Sequence, residues 1–340
     1  MSKSSQETEI WVMLLEKAWA KIYGSYMRIE GGTTGEALPV LCGAPTVTTK
    51  HKDLLEDQDG FWKTLSNADQ KKFVIATEVY SPASQFASKT IERMGLVDMH
   101  AYSLISTHEL DRGQGKPKVR LVKIRNPYGL KEWVGDWSDK DTKNWTPELR
   151  QQVGSVDAED GVFFIKYEDY LDFFYNTTIC KYADKGKRSL VLDQHLPGSF
   201  NAIKFTVHEN HNSPVLIVLH QAHHRFLDRK LDNSFQYARM NLKLAKVVTR
   251  KELDKEALND MEDRFLAFVD GDSNKWTLCD IELPSITAGE YILFAECNWT
   301  GQHAVRKNVI TIYGPESEAL TRISSKLIPY DFRLNMENWL

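Results

Sequence analysis

The chain has 340 residues, with 43 Lys and Arg against 47 Asp and Glu. This length predicts about two domains, and the formal net charge of −4 argues against a broadly basic nucleic-acid surface. No apolar run approaches the roughly 20 residues of a transmembrane helix. The four scattered cysteines form neither a disulfide framework nor a CxxC metal pair. We therefore expect a soluble protein of a reducing, cytoplasmic compartment.

The N-terminal segment WVMLLEKAWAKIYG predicts an amphipathic helix that ends at a glycine. Its apolar residues recur at helical spacing and are Trp11, Leu14, Leu15, Ala18 and Ile22. We expect this face to be buried. The glycine- and threonine-rich segment GGTTGE that follows, residues 31–36, predicts a loop.

Helical and strand patterns alternate over the next 140 or so residues. Residues 59–73 predict a helix, and the runs KFVIATEVY, MHAYSLISTHEL and VRLVKIR predict strands. The segment DGVFFIKYEDYLDFF predicts a strand that continues into a short helix. Helices mixed with strands in this order indicate an α+β domain.

The pattern changes from about Phe200 onward, where short runs rich in Val, Ile, Phe and Tyr are bounded by turn residues. The runs are FNAIKFTVHEN, SPVLIVLHQA, FQYARMNLKLAKVV, RFLAFVD, WTLCDIELP, GEYILFAECNW and NVITIYG. This texture is typical of an antiparallel β-sandwich.

One histidine and one asparagine stand at strand ends in the first half. His100 lies at a strand start, and Asn126 follows a later strand, 26 residues on. In a thiol protease, histidine deprotonates the cysteine and then protonates the leaving amine. An asparagine amide orients such a ring by accepting a hydrogen bond from its other nitrogen. A bare His/Asn pair is more often structural, so the surrounding sequence decides.

The ordered motifs GLVxxHAYS, LVxIRNPxG, EWxGxWSD and EDGxFFIxYEDYLDFF, after the opening WxxLLEKAWAKIYGSY, resemble the calpain family of papain-like cysteine proteases. The β-rich region resembles the calpain-type β-sandwich in LPGSF, GEYILFAECNW and ITIYG. The resemblance implies the second half of a papain-like core followed by an antiparallel β-sandwich. The implied segments are a remnant helix of the nucleophile-bearing half (1–35), the His/Asn half (36–182), the sandwich (195–318) and a tail (319–340).

The resemblance makes His100 the catalytic base and Asn126 its orienting partner. Tyr128 stands where the family has a tryptophan that shields their hydrogen bond. The nucleophile of the family lies in a Gly-x-Cys-Trp setting on a helix N-terminus, and no cysteine of this sequence has that setting. Cys42 is the sole cysteine before His100, and its LCGAP segment predicts a loop with no helix start behind it.

The resemblance also implies a calcium site in this half. Its ligands would be Glu132, Asp139, the Ala158 carbonyl and Asp160, an oxygen-rich set that suits a hard cation. Val162 stands where the family has a glutamate, which weakens the site. The alternative is that these acids are solvated loop residues.

The implied activity is calcium-dependent endopeptidase cleavage of protein or peptide substrates through a thiolate. Without the thiolate, we expect the lone chain to be inactive. Two alternatives remain open. The chain is a non-catalytic regulatory or binding module, or it is one half of a split protease that a Cys-half polypeptide completes at the open helix 10–23. A fragment or a mis-assigned start would give the same sequence.

Overall fold

The computed structural model describes residues 9–80, 85–113, 115, 117–182, 187–192, 199–212, 214–221, 237–247, 265–270, 278–298, 308–314 and 320–329. The chain divides into two units. One is Gly32–Tyr182, and the other combines the described residues of Met1–Gly31 with those of Ala183–Leu340. Within the described residues, no helix is long and apolar enough to cross a bilayer.

The Gly32–Tyr182 unit follows helix α1 (Trp11–Tyr23) and carries five helices and six strands among its described residues. In chain order these are α2 (Thr34–Cys42), β1 (Thr46–Lys50), α3 (Gln58–Gln70), β2 (Val74–Val79), α4 (Gln85–Arg93), β3 (His100–Leu110), β4 (Val119–Arg125), α5 (Pro147–Val153), β5 (Val162–Lys166), α6 (Tyr167–Phe173) and β6 (Asn176–Cys180). The strands form one antiparallel sheet in the order β1-β6-β2-β3-β4-β5. Helices with an antiparallel sheet agree with the predicted α+β class.

Strand β4 shows how apolar side chains cover both faces of this sheet. Val122 and Ile124 belong to a core that also contains residues of α3 and α6. Val119 and Leu121 point into a second core, formed with Trp137, Trp145, Val153 and Phe164. Successive strand residues face opposite sides, so the predicted alternation in VRLVKIR is confirmed, and both sides of it are buried.

Helix α3 begins and packs as its sequence predicts. The Asp57 carboxylate accepts a hydrogen bond from the Gly60 amide and so caps the helix N-terminus. Phe61, Trp62, Leu65 and Ala68 recur at helical spacing and are all buried. This apolar face anchors the helix to the larger core of the unit.

Helix α2 corrects the prediction of a loop at GGTTGE. Only residues up to Thr33 are irregular, and the helix runs from Thr34 to Cys42, so Cys42 is a helix C-terminal residue rather than part of a loop. The Thr33 hydroxyl caps the Glu36 amide, and Glu78 of β2 accepts hydrogen bonds from the Thr34 amide and hydroxyl at 2.6 and 2.8 Å. A contact from a distant strand thus starts the helix, and local sequence does not reveal it.

Helix α1 spans the predicted residues, but its apolar face is not buried. Trp11, Leu14 and Ile22 are 59%, 56% and 55% exposed, and of its residues only Ala20 and Tyr23 are buried. The prediction of a buried face is therefore wrong. Amphipathic spacing predicts that the apolar face of a helix packs against another surface. It does not show whether that surface belongs to the same chain.

The second unit contains two antiparallel sheets with a shared apolar core. Its strands are β7 (Lys187–Leu192), β8 (Ser199–Val207), β9 (Val215–Gln221), β10 (Arg239–Lys246), β11 (Phe265–Asp270), β12 (Leu278–Leu283), β13 (Gly289–Asn298), β14 (Asn308–Tyr313) and β15 (Leu320–Pro329). The sheet orders are β11-β10-β13-β8-β15 and β12-β9-β14-β7. Side chains of both sheets, such as Leu293 and Ile217, meet in one core.

The two sheets extend beyond the predicted boundaries 195–318. Strand β7 precedes residue 195 and pairs with β14, and strand β15 pairs with β8 in the segment predicted as a tail. Strand β7 starts with the polar residues Lys187, Arg188 and Ser189, and Pro315 precedes β15 in the sequence, so the sequence pattern did not reveal these strands. Within the predicted segments, the following lie outside the described residues: 1–8, 81–84, 114, 116, 195–198, 213, 222–236, 248–264, 271–277, 299–307, 315–319 and 330–340.

We predict that Leu65→Ala destabilises the protein by about 2–5 kcal/mol, because it opens a cavity in the α3 face of the core. Leu65 is 0% exposed, whereas Leu55 in the same unit is 80% exposed. Leu55→Ala is the matched control, with an expected change within about 0.5 kcal/mol. Urea unfolding followed by tryptophan fluorescence measures both. Equal losses for the two variants would contradict the packing described for α3.

Candidate active site

Strand register brings His100 and Asn126 to the same edge of the six-stranded sheet. His100 is the first residue of β3 and pairs with Val79 at the end of β2. Asn126 directly follows β4, whose last residue, Arg125, pairs with Ser103 of β3. In an antiparallel pair, the start of one strand lies beside the end of the other. The two side chains are therefore neighbours although 26 residues separate them.

The imidazole and the carboxamide form a hydrogen bond of 2.9 Å between His100 Nε2 and Asn126 Oδ1. The orientation of the amide follows from its other contacts, because Asn126 Nδ2 donates to the carbonyls of Leu130 and Lys131 at 2.7 and 3.1 Å. Oδ1 must then be the acceptor, and it also accepts from the Tyr128 amide at 3.0 Å. His100 Nε2 therefore carries the proton, which leaves Nδ1 of the neutral ring as the basic nitrogen.

Asn126 is held from the backbone side as well. Its side chain is 0% exposed, and its amide donates to the Gly161 carbonyl at 2.7 Å. A Cβ at Gly161 would come within 2.8 Å of both the Asn126 carbonyl oxygen and Gly129 Cα. Gly161 also has φ +83°, in the left-handed region. Glycine is thus required where the loop before β5 meets the turn after Asn126.

Two tyrosine rings enclose the imidazole. The Tyr128 ring lies 4.3 Å from the His100 ring, centroid to centroid, and the Tyr102 ring lies edge-on at 5.0 Å. Burial lowers the pKa of His100 below its ordinary value of 6.5, and the hydrogen bond to Asn126 partly offsets this by favouring the charged ring. The ring is therefore neutral at pH 7 and able to accept a proton.

Tyr102 was not singled out by the sequence pattern. Its hydroxyl accepts a hydrogen bond from the Val97 amide at 2.7 Å, which fixes the ring and secures the turn before β3. Burial raises the pKa of Tyr102 to about 12, so the hydroxyl stays neutral. The available signal was its position two residues after His100, on the same face of the strand.

No cysteine of the chain lies beside His100. Cys180 pairs with Val74 at the start of β2, whereas His100 pairs with Val79 at its end, a separation of roughly 17 Å along the strand. Cys42, at the end of α2, lies on the same side of the unit, because the following strand begins at Thr46, which pairs with Cys180. Cys279 and Cys297 lie in the core of the other unit. None of the four cysteine thiols therefore lies near the His100 imidazole.

The predicted calcium ligands lie around one loop, with different roles in the structure. Glu132 Oε1 accepts hydrogen bonds from the amides of Asp160 and Gly161 at 3.0 and 2.7 Å, and Asp160 Oδ1 accepts from the Val162 amide at 2.8 Å. Asp139 is buried, and neither of its carboxylate oxygens has a hydrogen-bond partner of good geometry. Burial and the neighbouring charge of Glu132 raise the pKa of Asp139 to about 7.

The donor set fits a hard cation only in part. Two buried oxygens of Asp139 without partners are what a cation would stabilise, since an ionised carboxylate needs compensation when buried. However, Glu132 and Asp160 each already use one oxygen to hold the loop backbone. Among the described residues, no three acidic, histidine or cysteine side chains are close enough together to hold a metal ion.

Comparison with known proteins identifies the family of this chain. The sequence pattern of the calpain family cysteine proteases matches residues 1–181. Calpain-12 of Mus musculus is 35% identical over 179 residues, 52% of this chain and 24% of that protein. The calpain-2 catalytic subunit of Gallus gallus is 32% identical over 181 residues, 52% of this chain and 25% of that protein. The chain thus spans about a quarter of the length of these relatives.

A solved structure gives no further support. The cysteine protease and lectin-like domains of Cwp84 from Clostridium difficile match with 12% identity and a TM-score of 0.22 over 73% of this chain and 50% of that one, too low to carry an argument. A histidine oriented by a buried asparagine is an arrangement that thiol proteases use. Because the family pattern covers more than half of the sequence, the chain belongs to the calpain family of cysteine proteases.

We predict that Asn126→Ala lowers the pKa of His100 further, because it removes the hydrogen bond that favours the charged ring. Histidine NMR titration of the full chain measures the shift, and nitrogen chemical shifts report the loss of the fixed Nε2–H tautomer. Asn67→Ala, at an exposed position of α3, is the control and should leave the titration unchanged. A rise in the His100 pKa of the Asn126 variant would contradict the arrangement described.

Proposed function

We propose that this chain carries the base and the orienting residue of a calpain-like cysteine endopeptidase site, and that it cleaves peptides only when a Cys-bearing half supplies the thiolate. The observation that carries the proposal is the bond from His100 Nε2 to the buried Asn126 amide, with no thiol beside the ring. In this proposal the fold is the second half of a papain-like core followed by a calpain-type β-sandwich. The protein would act in the cytoplasm.

In this function, His100 Nδ1 takes the proton of a cysteine thiol and returns it to the leaving amine. Asn126 keeps the ring in the tautomer that leaves Nδ1 basic, and it stabilises the imidazolium that forms. Tyr128, 64% exposed, covers one side of the ring and limits access of water to the His–Asn hydrogen bond. Burial keeps the pKa of His100 low, so the ring is deprotonated at neutral pH.

The exposed apolar face of α1 supports the need for a further half. Trp11, Leu14 and Ile22 expose more than half of their surface, on a helix whose sequence resembles the one that closes the nucleophile-bearing half of calpains. An apolar stripe of this kind is costly in water and favours a covering partner. We propose that the Cys-bearing half packs there, whether it belongs to the same polypeptide or to another.

The alternative of a non-catalytic binding module is favoured by the same lack of a nearby thiol. In that case the His–Asn pair only stabilises the edge of the sheet. Cleavage after addition of a Cys-bearing half separates the two proposals, because a binding module gains no activity from it.

We predict no casein cleavage by the chain alone with calcium and a thiol reductant, and cleavage after mixing with a polypeptide that contains the Cys half of a calpain. His100→Ala should then reduce the rate by about 10³-fold or more. His208→Ala, at an exposed position of the other unit, is the matched control and should retain the rate. Cleavage by the chain alone that depends on His100 would refute the need for a partner half.

The same mixture tests the docking surface. Leu14→Asp places a charge on the exposed apolar face of α1 and should weaken association in analytical ultracentrifugation, whereas Lys17→Asp, also exposed, should not.

We also propose that calcium binds at the loop that contains Asp139, with Glu132, Asp160 and the Ala158 carbonyl as further ligands. The ion would supply the positive charge that the buried, unpartnered Asp139 carboxylate lacks. Val162 offers no oxygen from its side chain, so one ligand fewer is available than in the family pattern.

We predict that calcium raises the Tm of the wild-type chain, by the equivalent of about 2.7 kcal/mol at a hundredfold excess over its Kd. Because folding raises the pKa of Asp139 to about 7, metal-free stability should fall as the pH rises from about 4 through 7. Asp139→Asn should abolish both effects, and Glu56→Gln, an exposed control, should abolish neither. An unchanged calcium response in Asp139→Asn would contradict the proposed ligand.

A further inference from the structure

Two cysteines lie close together at the ends of the first helix and the last strand of the Gly32–Tyr182 unit. Cys42 is the last residue of α2, and Cys180 is the last residue of β6. Gly43 turns the chain in the left-handed conformation, with its amide bonded to the Pro39 carbonyl at 2.7 Å. Strand β1 then begins at Thr46, which pairs with Cys180. The C-terminus of α2 is therefore held against the end of β6.

The two thiols are close enough to influence each other. The side chains of Cys42 and Thr46 are both neighbours that affect the pKa of the Cys180 thiol, and Thr46 pairs with Cys180 across the sheet. Cys180 is 0% exposed, whereas Cys42 is partly exposed. All four cysteines of the chain are among the described residues, and none of them is in a disulfide. The His–Asn chemistry uses neither Cys42 nor Cys180.

We propose that Cys42 and Cys180 form a reversible disulfide when the chain meets an oxidising low-molecular-weight disulfide such as oxidised glutathione. The bond would tie the first helix of the unit to its last strand. This proposal is independent of the proposed function, since the pair lies at the opposite end of β2 from His100.

The reaction proceeds by two thiol–disulfide exchanges. The Cys42 thiolate attacks oxidised glutathione, which forms a mixed disulfide and releases one glutathione thiolate, later protonated. The Cys180 sulfur then loses its proton and attacks the Cys42 sulfur, which releases the second glutathione. Two protein thiols are oxidised by two electrons, and one glutathione disulfide is reduced to two glutathione thiols.

Accessibility assigns the order of these steps. Cys42 is partly exposed and is reached first by the reagent. Burial raises the pKa of Cys180 to about 12, so little of this thiol is ionised. It therefore reacts poorly with dissolved glutathione and reacts only with the neighbouring Cys42 sulfur. Burial likewise raises the pKa of Cys279 to about 12, and Cys297 is also buried in the core between the two sheets. Cys279 and Cys297 should therefore both remain reduced under the same conditions.

The disulfide should stabilise the unit. It closes a loop of roughly 140 residues and so restricts the unfolded chain. We expect the Tm to rise by at least about 4 °C on oxidation.

The test equilibrates the full chain in glutathione buffers of increasing oxidation, followed by alkylation, proteolysis and mass spectrometry, with Tm measured on the same samples. The expected result is a Cys42–Cys180 linked peptide that forms together with the rise in Tm and is reversed by reduced glutathione. Cys42→Ser should lose both signals, and Cys180→Ala should lose the rise and keep glutathione on Cys42. Cys297→Ala is the matched control and should keep the linked peptide.

Three outcomes would overturn the proposal. In the first, glutathione stays attached to Cys42 of the wild-type chain. In the second, Cys279 and Cys297 form a disulfide while Cys42 and Cys180 do not, and in the third the Cys42–Cys180 disulfide forms but the Tm does not change.

Discussion

The buried carboxamide of Asn126 is the contact on which the candidate site depends. Its two donors are used by the carbonyls of Leu130 and Lys131, so its oxygen must face His100. This single constraint decides the tautomer of the imidazole and hence which nitrogen is basic. Gly161 makes the constraint possible, because any side chain there would collide with the Asn126 backbone. The hydrogen bonds of the Asn126 side chain thus determine which nitrogen of His100 is basic.

Two independent features of the chain support the proposed Cys-bearing half. The imidazole has no thiol beside it, since Cys180 lies at the other end of β2. Helix α1 exposes Trp11 and Leu14, although its sequence has the amphipathic spacing of a packed helix. The proposed Cys-bearing half would supply both a thiolate for His100 and a surface that covers the apolar face of α1.

The acidic loop contains a carboxylate whose ionisation is opposed by its surroundings. Asp139 is buried beside Glu132, and its carboxylate oxygens have no hydrogen-bond partner of good geometry. Such a group raises its own pKa rather than remain charged in an apolar setting. Binding of the proposed calcium ion at this loop would therefore be coupled to folding. Arg150 does not relieve the charge by a hydrogen bond, because its guanidinium donates to the Asp139 carbonyl instead.

The sequence by itself determined the strands that position the site and the helix α3, because alternation and helical spacing are local signals. The pairing of His100 with Asn126 was predicted through the resemblance of the ordered motifs to a family. The tertiary structure alone decided the start of helix α2, the exposure of the α1 face and the membership of β7 and β15 in the sheets. It also decided the orientation of the Asn126 amide and the proximity of Cys42 to Cys180. Each of these depends on residues far apart in the chain, such as Thr34 and Glu78, whose proximity follows from sheet register rather than from any pattern along the sequence.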